Sequence, residues 1–102
     1  MVQKINWTEQ SKNDLLNIKD FISADSPYQA ERMIKLIYSS TQKLINHPEI
    51  GKIIYTSEKY LVRRLLVKSY RVIYTFNSGI ISILSVQHQS RELETYFDLT
   101  IL

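Results

Sequence analysis

The sequence predicts an α+β fold: a short N-terminal strand, a two-helix hairpin, then a three-stranded antiparallel meander with a short C-terminal tail. Three observations carry that prediction. The hydrophobic period switches at Thr8 from strand-like alternation to helical spacing. Ser26-Pro27-Tyr28-Gln29 places Ser at an N-cap, Pro at the first helical position and Gln at the third, a capping box entered through proline. The stretch Lys59–Arg91 then holds three runs rich in Val, Ile, Leu and Tyr, with turn residues at Lys68-Ser69 and Asn77-Ser78-Gly79.

Residues 2–7, VQKINW, alternate with Gln3, Ile5 and Trp7 on one side, which suits a first strand with Trp7 anchoring the core. Thr8 is an N-cap, and Leu15, Ile18 and Ile22, with Phe21 beside them, form the stripe of a helix from about Glu9 to Ala24. A second helix starts at Pro27. Its apolar positions Ala30, Met33, Ile34, Ile37, Thr41, Leu44 and Ile45 keep the period until Asn46-His47-Pro48, where the residue before proline is pushed out of helical geometry. The connection from Ala24 to Ser26 is so short that the helices must fold back on each other and present a joint apolar stripe to the sheet. His47 is read as a structural residue at the negative end of the helix dipole.

Residues 48–57, PEIGKIIYTS, are read as a loop that bends at Gly51 and touches the sheet edge with Ile53-Ile54-Tyr55. Strand runs follow at Tyr60–Val67, Tyr70–Phe76 and Ile80–His88. Each is apolar on both faces. Strict alternation sets Leu65 and Val67 against Val62 and Leu66, then Val72, Tyr74 and Phe76 against Ile73, and Leu84 and Val86 against Ile81 and Ile83. A helical hairpin covers one face, so the other needs the tail 92–102, a second chain, or both.

With 102 residues, 44% of them hydrophobic, the chain suits one domain over residues 1–102. It has no long apolar run and no secretory signal, which points to the cytoplasm and away from membranes. The absence of cysteine and the isolation of His47 and His88 exclude disulfides and the usual zinc sets, so no metal is expected. The net charge is only +3, yet Lys59, Arg63, Arg64, Lys68, Arg71 and Arg91 fall in a stretch without Asp or Glu. That segregation fits either attraction of phosphate or an acidic partner, or an ordinary solvated sheet face.

The order of elements resembles the RelE/ParE toxin superfamily. The motifs that carry the resemblance are Asp14-Leu15-x-x-Ile18-x-x-Phe21-Ile22, Pro27-x-x-Ala30, Leu44-x-x-x-Pro48-x-x-Gly51, Tyr70-Arg71-Val72-Ile73-Tyr74 and Ile83-Leu84-x-Val86-x-His88-x-x-Arg91. They span Trp7 to Arg91. The resemblance implies the toxin of a bacterial type II toxin–antitoxin pair, without a cofactor, neutralised by a small antitoxin. RelE-like members cut messenger RNA on the ribosome, and ParE-like members poison DNA gyrase.

Under the RelE-like reading, the resemblance makes Arg71 and Arg91 phosphate clamps, His88 the proton-transfer group and Tyr96 the stacking or proton-donating tyrosine. Lys59, Arg63, Arg64, Lys68 and Arg71 are the candidate target or phosphate contacts. Leu66, Ile81 and Ile83, on the uncovered face, are the candidate antitoxin contacts. The long paired helices, the H-x-x-R ending and the modest charge lean toward ParE, whereas Tyr96 in the tail resembles RelE-like endings. A non-toxic protein-interaction module is a third alternative.

Overall fold

A computed structural model describes residues 1–90, so Arg91, Tyr96 and the tail 92–102 lie outside the described residues. The chain runs β1 (Lys4–Trp7), α1 (Glu9–Ser23), α2 (Pro27–Gln42), a 3-10 turn (Lys43–Ile45), β2 (Lys52–Thr56), β3 (Leu61–Val67), β4 (Tyr70–Asn77) and β5 (Ile80–His88). The sheet order is β1-β5-β4-β3-β2. β1 lies parallel to β5, and every other neighbouring pair is antiparallel. The expected meander is therefore present, extended at one edge by β2 and at the other by β1.

Both helix starts follow from their caps. Thr8 Oγ1 accepts the Ser11 amide, and Ser26 Oγ accepts the Gln29 amide with Pro27 opening α2. The helices pack as a hairpin on one face of the sheet. Ile18, Ile37 and Leu44 join Val67, Tyr70, Val72, Tyr74, Ile81, Ile83 and Val86 in the main core, with Ile5 and Trp7 packed against it.

Where β1 ends, α1 takes over the open edge of β5. The Thr8 amide donates to the Ile83 carbonyl at 3.2 Å, and Thr8 Oγ1 donates to the same oxygen at 2.9 Å. Further along, Asp14 Oδ2 accepts the Val86 amide at 2.9 Å and Ser85 Oγ at 2.8 Å. Backbone groups of a central strand are thus satisfied by side chains of a helix, as buried polar groups require.

Two irregularities decide which side chains face which way. On β5 the pairing passes from Ile73↔Ser85 to Tyr74↔Ile83, leaving Leu84 as an extra residue. On β2 it passes from Ile53↔Arg63 to Tyr55↔Val62, leaving Ile54 extra. A bulged residue shifts every later side chain to the opposite face. The expectation that Ile81 and Ile83 face away from the helices is therefore corrected: both are fully buried in the main core. Leu84, expected in that core, instead joins Val62, Ile73 and Ile54 in a separate cluster on the second face.

The reading of 48–57 as loop is also corrected, since β2 occupies Lys52–Thr56. The same bulge explains why alternation did not reveal it. The loop before β2 is pinned by Tyr74, whose hydroxyl donates to the Pro48 carbonyl and accepts the Gly51 amide, both at 2.9 Å. Gly51 is needed for this close approach, because a Cβ there would lie 2.6 Å from the Tyr74 hydroxyl and 2.7 Å from the Arg64 carbonyl.

Candidate functional site

The sheet face away from the helices is built in rows by the strand pairing. One row is Lys52, Arg64, Ile73 and Ser85; the next is Leu66, Arg71 and Gln87. A third runs across all five strands as Tyr55, Val62, Thr75, Ser82 and Asn6, and a fourth is Asn77, Ile80 and Lys4. These rows contain four cations and no carboxylate, with the Val62, Ile73, Leu84 and Ile54 cluster between them. A face of this kind attracts an anionic partner by its summed field, and its exposed apolar side chains are Leu66 and Tyr55.

Of the expected target or phosphate contacts, Arg64 and Arg71 lie on this face. Lys59 is exposed in the connection between β2 and β3, and Lys68 is exposed at the tight β3–β4 turn. Arg63 is elsewhere. It sits on the helix side opposite Tyr74, and its guanidinium donates to the carbonyls of Glu49 at 3.0 Å and Gly51 at 2.8 Å. Arg63 is thus spent on holding the loop that Tyr74 also holds. Of the expected antitoxin contacts only Leu66 is exposed, at 51%. Sequence reading missed Lys4 and Lys52, which lie outside the acid-free stretch and reach the same face through strands that pair with it.

The expected catalytic residues are not brought together. Arg71 pairs with Gln87 and projects from the second face, while His88 pairs with Tyr70 on the helix side, where their rings meet edge to face at 5.1 Å. The sheet itself lies between the two side chains, although the Arg71 guanidinium does reach the His88 backbone carbonyl at 3.4 Å. His88 Nδ1 accepts the Ser90 amide at 3.0 Å and meets Ser90 Oγ at 2.7 Å, so in the neutral ring the proton is on Nε2. His88 lines a cleft of about 360 Å³ with Asp14, Asn17, Phe21 and Tyr70. Asp14 has no free role there, because its carboxylate holds the β5 edge and also accepts Gln10 Nε2 at 2.8 Å.

Beside Arg71, Gln87 donates through Nε2 to Ser85 Oγ at 3.2 Å, while its buried Oε1 has no partner among the described residues. Burial pushes the Tyr70 and Tyr74 hydroxyls above the usual phenol range; at Tyr74 the Gly51 amide and the Arg63 charge oppose the rise, and Glu49 adds to it. Both tyrosines of the Tyr70-Arg71-Val72-Ile73-Tyr74 motif therefore face the main core as neutral phenols, while Arg71 and Ile73 lie on the second face. Among the described residues no three His, Cys, Asp or Glu side chains come together as a metal site, and no helix is long and apolar enough to cross a membrane.

Residues 5–93 match the family described as ParE toxin of type II toxin–antitoxin system, parDE. The chain is 28% identical over 88 residues to Toxin RelE2 of Caulobacter vibrioides, a match that covers 86% of this chain and 97% of that protein. Its fold is shared with a structure of the chromosomal ParDE TA system from P. aeruginosa, at a TM-score of 0.69 and 19% identity over 83% of this chain and 94% of that one. It is shared also with the archaeal RelE–RelB complex from Pyrococcus horikoshii OT3, at a TM-score of 0.65 and 17% identity over 90% of this chain and 100% of that one.

Proposed function

The chain belongs to the ParE toxin family of type II toxin–antitoxin systems, and from that premise we propose that it arrests growth as a gyrase poison and is silenced by a small cognate antitoxin. The observation that carries the gyrase reading is the separation of Arg71 from His88 by the sheet. Metal-free RNA cleavage by a 2′-hydroxyl needs a proton-transfer group and a phosphate clamp on the same few atoms, each within about 3 Å. A cationic face with Leu66 and Tyr55 exposed on it supports the alternative chemistry of gripping a macromolecular target. On this reading residues 1–102 act as one toxin domain in the cytoplasm, with no cofactor.

The antitoxin is proposed to carry an acidic segment that orders on docking, with Leu66 as an apolar contact and Arg64 and Arg71 as charge partners. Ile81 and Ile83 are withdrawn from that role by their burial.

A RelE-like messenger RNA endoribonuclease is the second reading, favoured by the relative named Toxin RelE2 and by the cationic face. One experiment separates the two. The chain and its His88→Ala and Arg71→Ala variants are induced alone in bacteria at matched expression, with circular dichroism confirming each fold. The gyrase reading expects gyrase–DNA cleavage complexes, unchanged transcript ends, and full toxicity of His88→Ala, because truncations in a contact surface are seldom decisive. New transcript ends, together with loss of toxicity in folded His88→Ala by about 10²–10⁴-fold, would establish the nuclease instead.

A further inference from the structure

At the far end of the second face from Arg71, a cavity of about 300 Å³ opens where β1, β5 and the end of β4 meet. Its polar lining is Lys4, Asn6, Thr75, Asn77, Ser78 and Ser82. None of these is acidic. The strand pairing explains the convergence: Asn6, Ser82 and Thr75 stand in one row, while Lys4 and Asn77 flank Ile80 in the next. The cavity joins Lys4 and Asn6 of β1 to residues 75–82 of the acid-free stretch, at the end of the face that holds none of the candidate contacts read from the sequence.

Thr75 and Ser82, the most buried of the polar lining residues, form the floor of the cavity. They are only 2% and 6% exposed as whole residues, and both line the cavity, so their hydroxyls are free to turn toward a ligand there. Ser78 Oγ meets the Asn77 carbonyl oxygen Oδ1 at 3.4 Å, which leaves the Asn77 amide nitrogen to donate elsewhere. The lining therefore offers two serine hydroxyls, one threonine hydroxyl, two side-chain amides and an ammonium, and the Lys4 charge is not matched by any acid in the lining.

We propose that this cavity binds an oxyanion of the phosphate class. Lys4 supplies the charge, Asn6 and Asn77 donate from the rim, and the Thr75 and Ser82 hydroxyls donate from the floor. A phosphate group has enough acceptor oxygens to engage floor and rim together, whereas the two oxygens of a carboxylate would leave part of the donor set unpaired. The same chemistry is presented by a phosphodiester of nucleic acid and by a small phosphorylated molecule. Arg71 lies six residues along β4 from Asn77, about 20 Å at the usual strand rise, so a nucleic-acid strand has room to reach from this cavity to the arginine. The inference stands apart from the choice of toxin target.

The test is amide NMR of the full chain, titrated separately with inorganic phosphate, with a short DNA duplex and with acetate at equal ionic strength. Phosphate should shift the amides of Asn6, Thr75 and Ser82. Lys4→Gln should weaken its binding by about ten- to hundredfold, and the shape-preserving Thr75→Val by about two- to tenfold. If the duplex shifts the same amides and competes with phosphate, the ligand is a nucleic-acid backbone. If phosphate binds and the duplex does not, it is a small phosphorylated molecule. Either result supports the site. Absence of phosphate shifts, acetate shifts as large as those of phosphate, or binding undiminished in folded Lys4→Gln and Thr75→Val would overturn it.

Discussion

Replacing Tyr74 by Phe removes one oxygen atom from a fully buried ring and thereby frees the loop that leads into β2. Two hydrogen bonds are lost, the hydroxyl's donation to Pro48 and its acceptance of the Gly51 amide, both at 2.9 Å. Each neutral bond contributes about 0.5–1.5 kcal/mol net, and a buried donor left without a partner costs about 1–3 kcal/mol. Gly51 is buried, so its amide has little access to water; Pro48 is only half-buried and its carbonyl can be hydrated. Arg63 still holds the Glu49 and Gly51 carbonyls. The sum points to a loss of about 2–3 kcal/mol, read as a lower urea midpoint with an unchanged slope.

The same substitution changes the alkaline limb of stability. Burial raises the Tyr74 hydroxyl above its unfolded value of 10.0. A group whose folded pKa is raised contributes stability that is fully present below its unfolded pKa and lost as pH rises through the folded one. The wild-type chain should therefore lose stability above about pH 10, and Tyr74→Phe should flatten that decline, with Tyr70 accounting for a remainder. A loss below about 0.5 kcal/mol at neutral pH, or an unchanged alkaline decline, would refute the assignment of loop anchoring to this hydroxyl.

Two further perturbations probe the scaffold. Asp14→Ala strips the acceptor from the buried Val86 amide and should cost about 1–3 kcal/mol, with faster hydrogen exchange at Val86, whereas Asp14→Asn retains an acceptor oxygen and should cost less. Ile37 is fully buried between the helices and the sheet, so Ile37→Ala should cost about 2–5 kcal/mol; Ser26→Ala loses only an exposed cap and should cost about 1 kcal/mol. Denaturant midpoints that reverse this second pair would contradict the packing of the hairpin.

Features governed by neighbours in the chain were legible in the sequence. Thr8 and Ser26 declared the helix starts because a cap acts within three residues, and the turns at 68–69 and 78–79 fall where polar residues and Gly79 interrupt the apolar runs. The stripe through Ile18 and Ile37 marked the core because helical period alone decides a helix face. The candidate site was legible in part. Arg64, Arg71 and Leu66 reach the second face because the alternation of β3 and of β4 is unbroken. Lys52-Ile53-Ile54-Tyr55-Thr56 carried a strand's composition, but its bulge hid the period.

What the sequence determined by itself was the kind and order of the main elements other than β2, the helix starts, and the gathering of cations without acids in the stretch 59–91. What only the tertiary structure decided was direction. Ile81 and Ile83 turned inward, Leu84 turned outward, and Arg71 was parted from His88. Lys4 arrived beside Ser82 through a parallel pairing between chain positions nearly eighty residues apart. The physical reason is that a strand's side chains alternate with a period of two, so one extra residue inverts a face, and whether a bulge forms depends on the partner strand rather than on the strand's own residues.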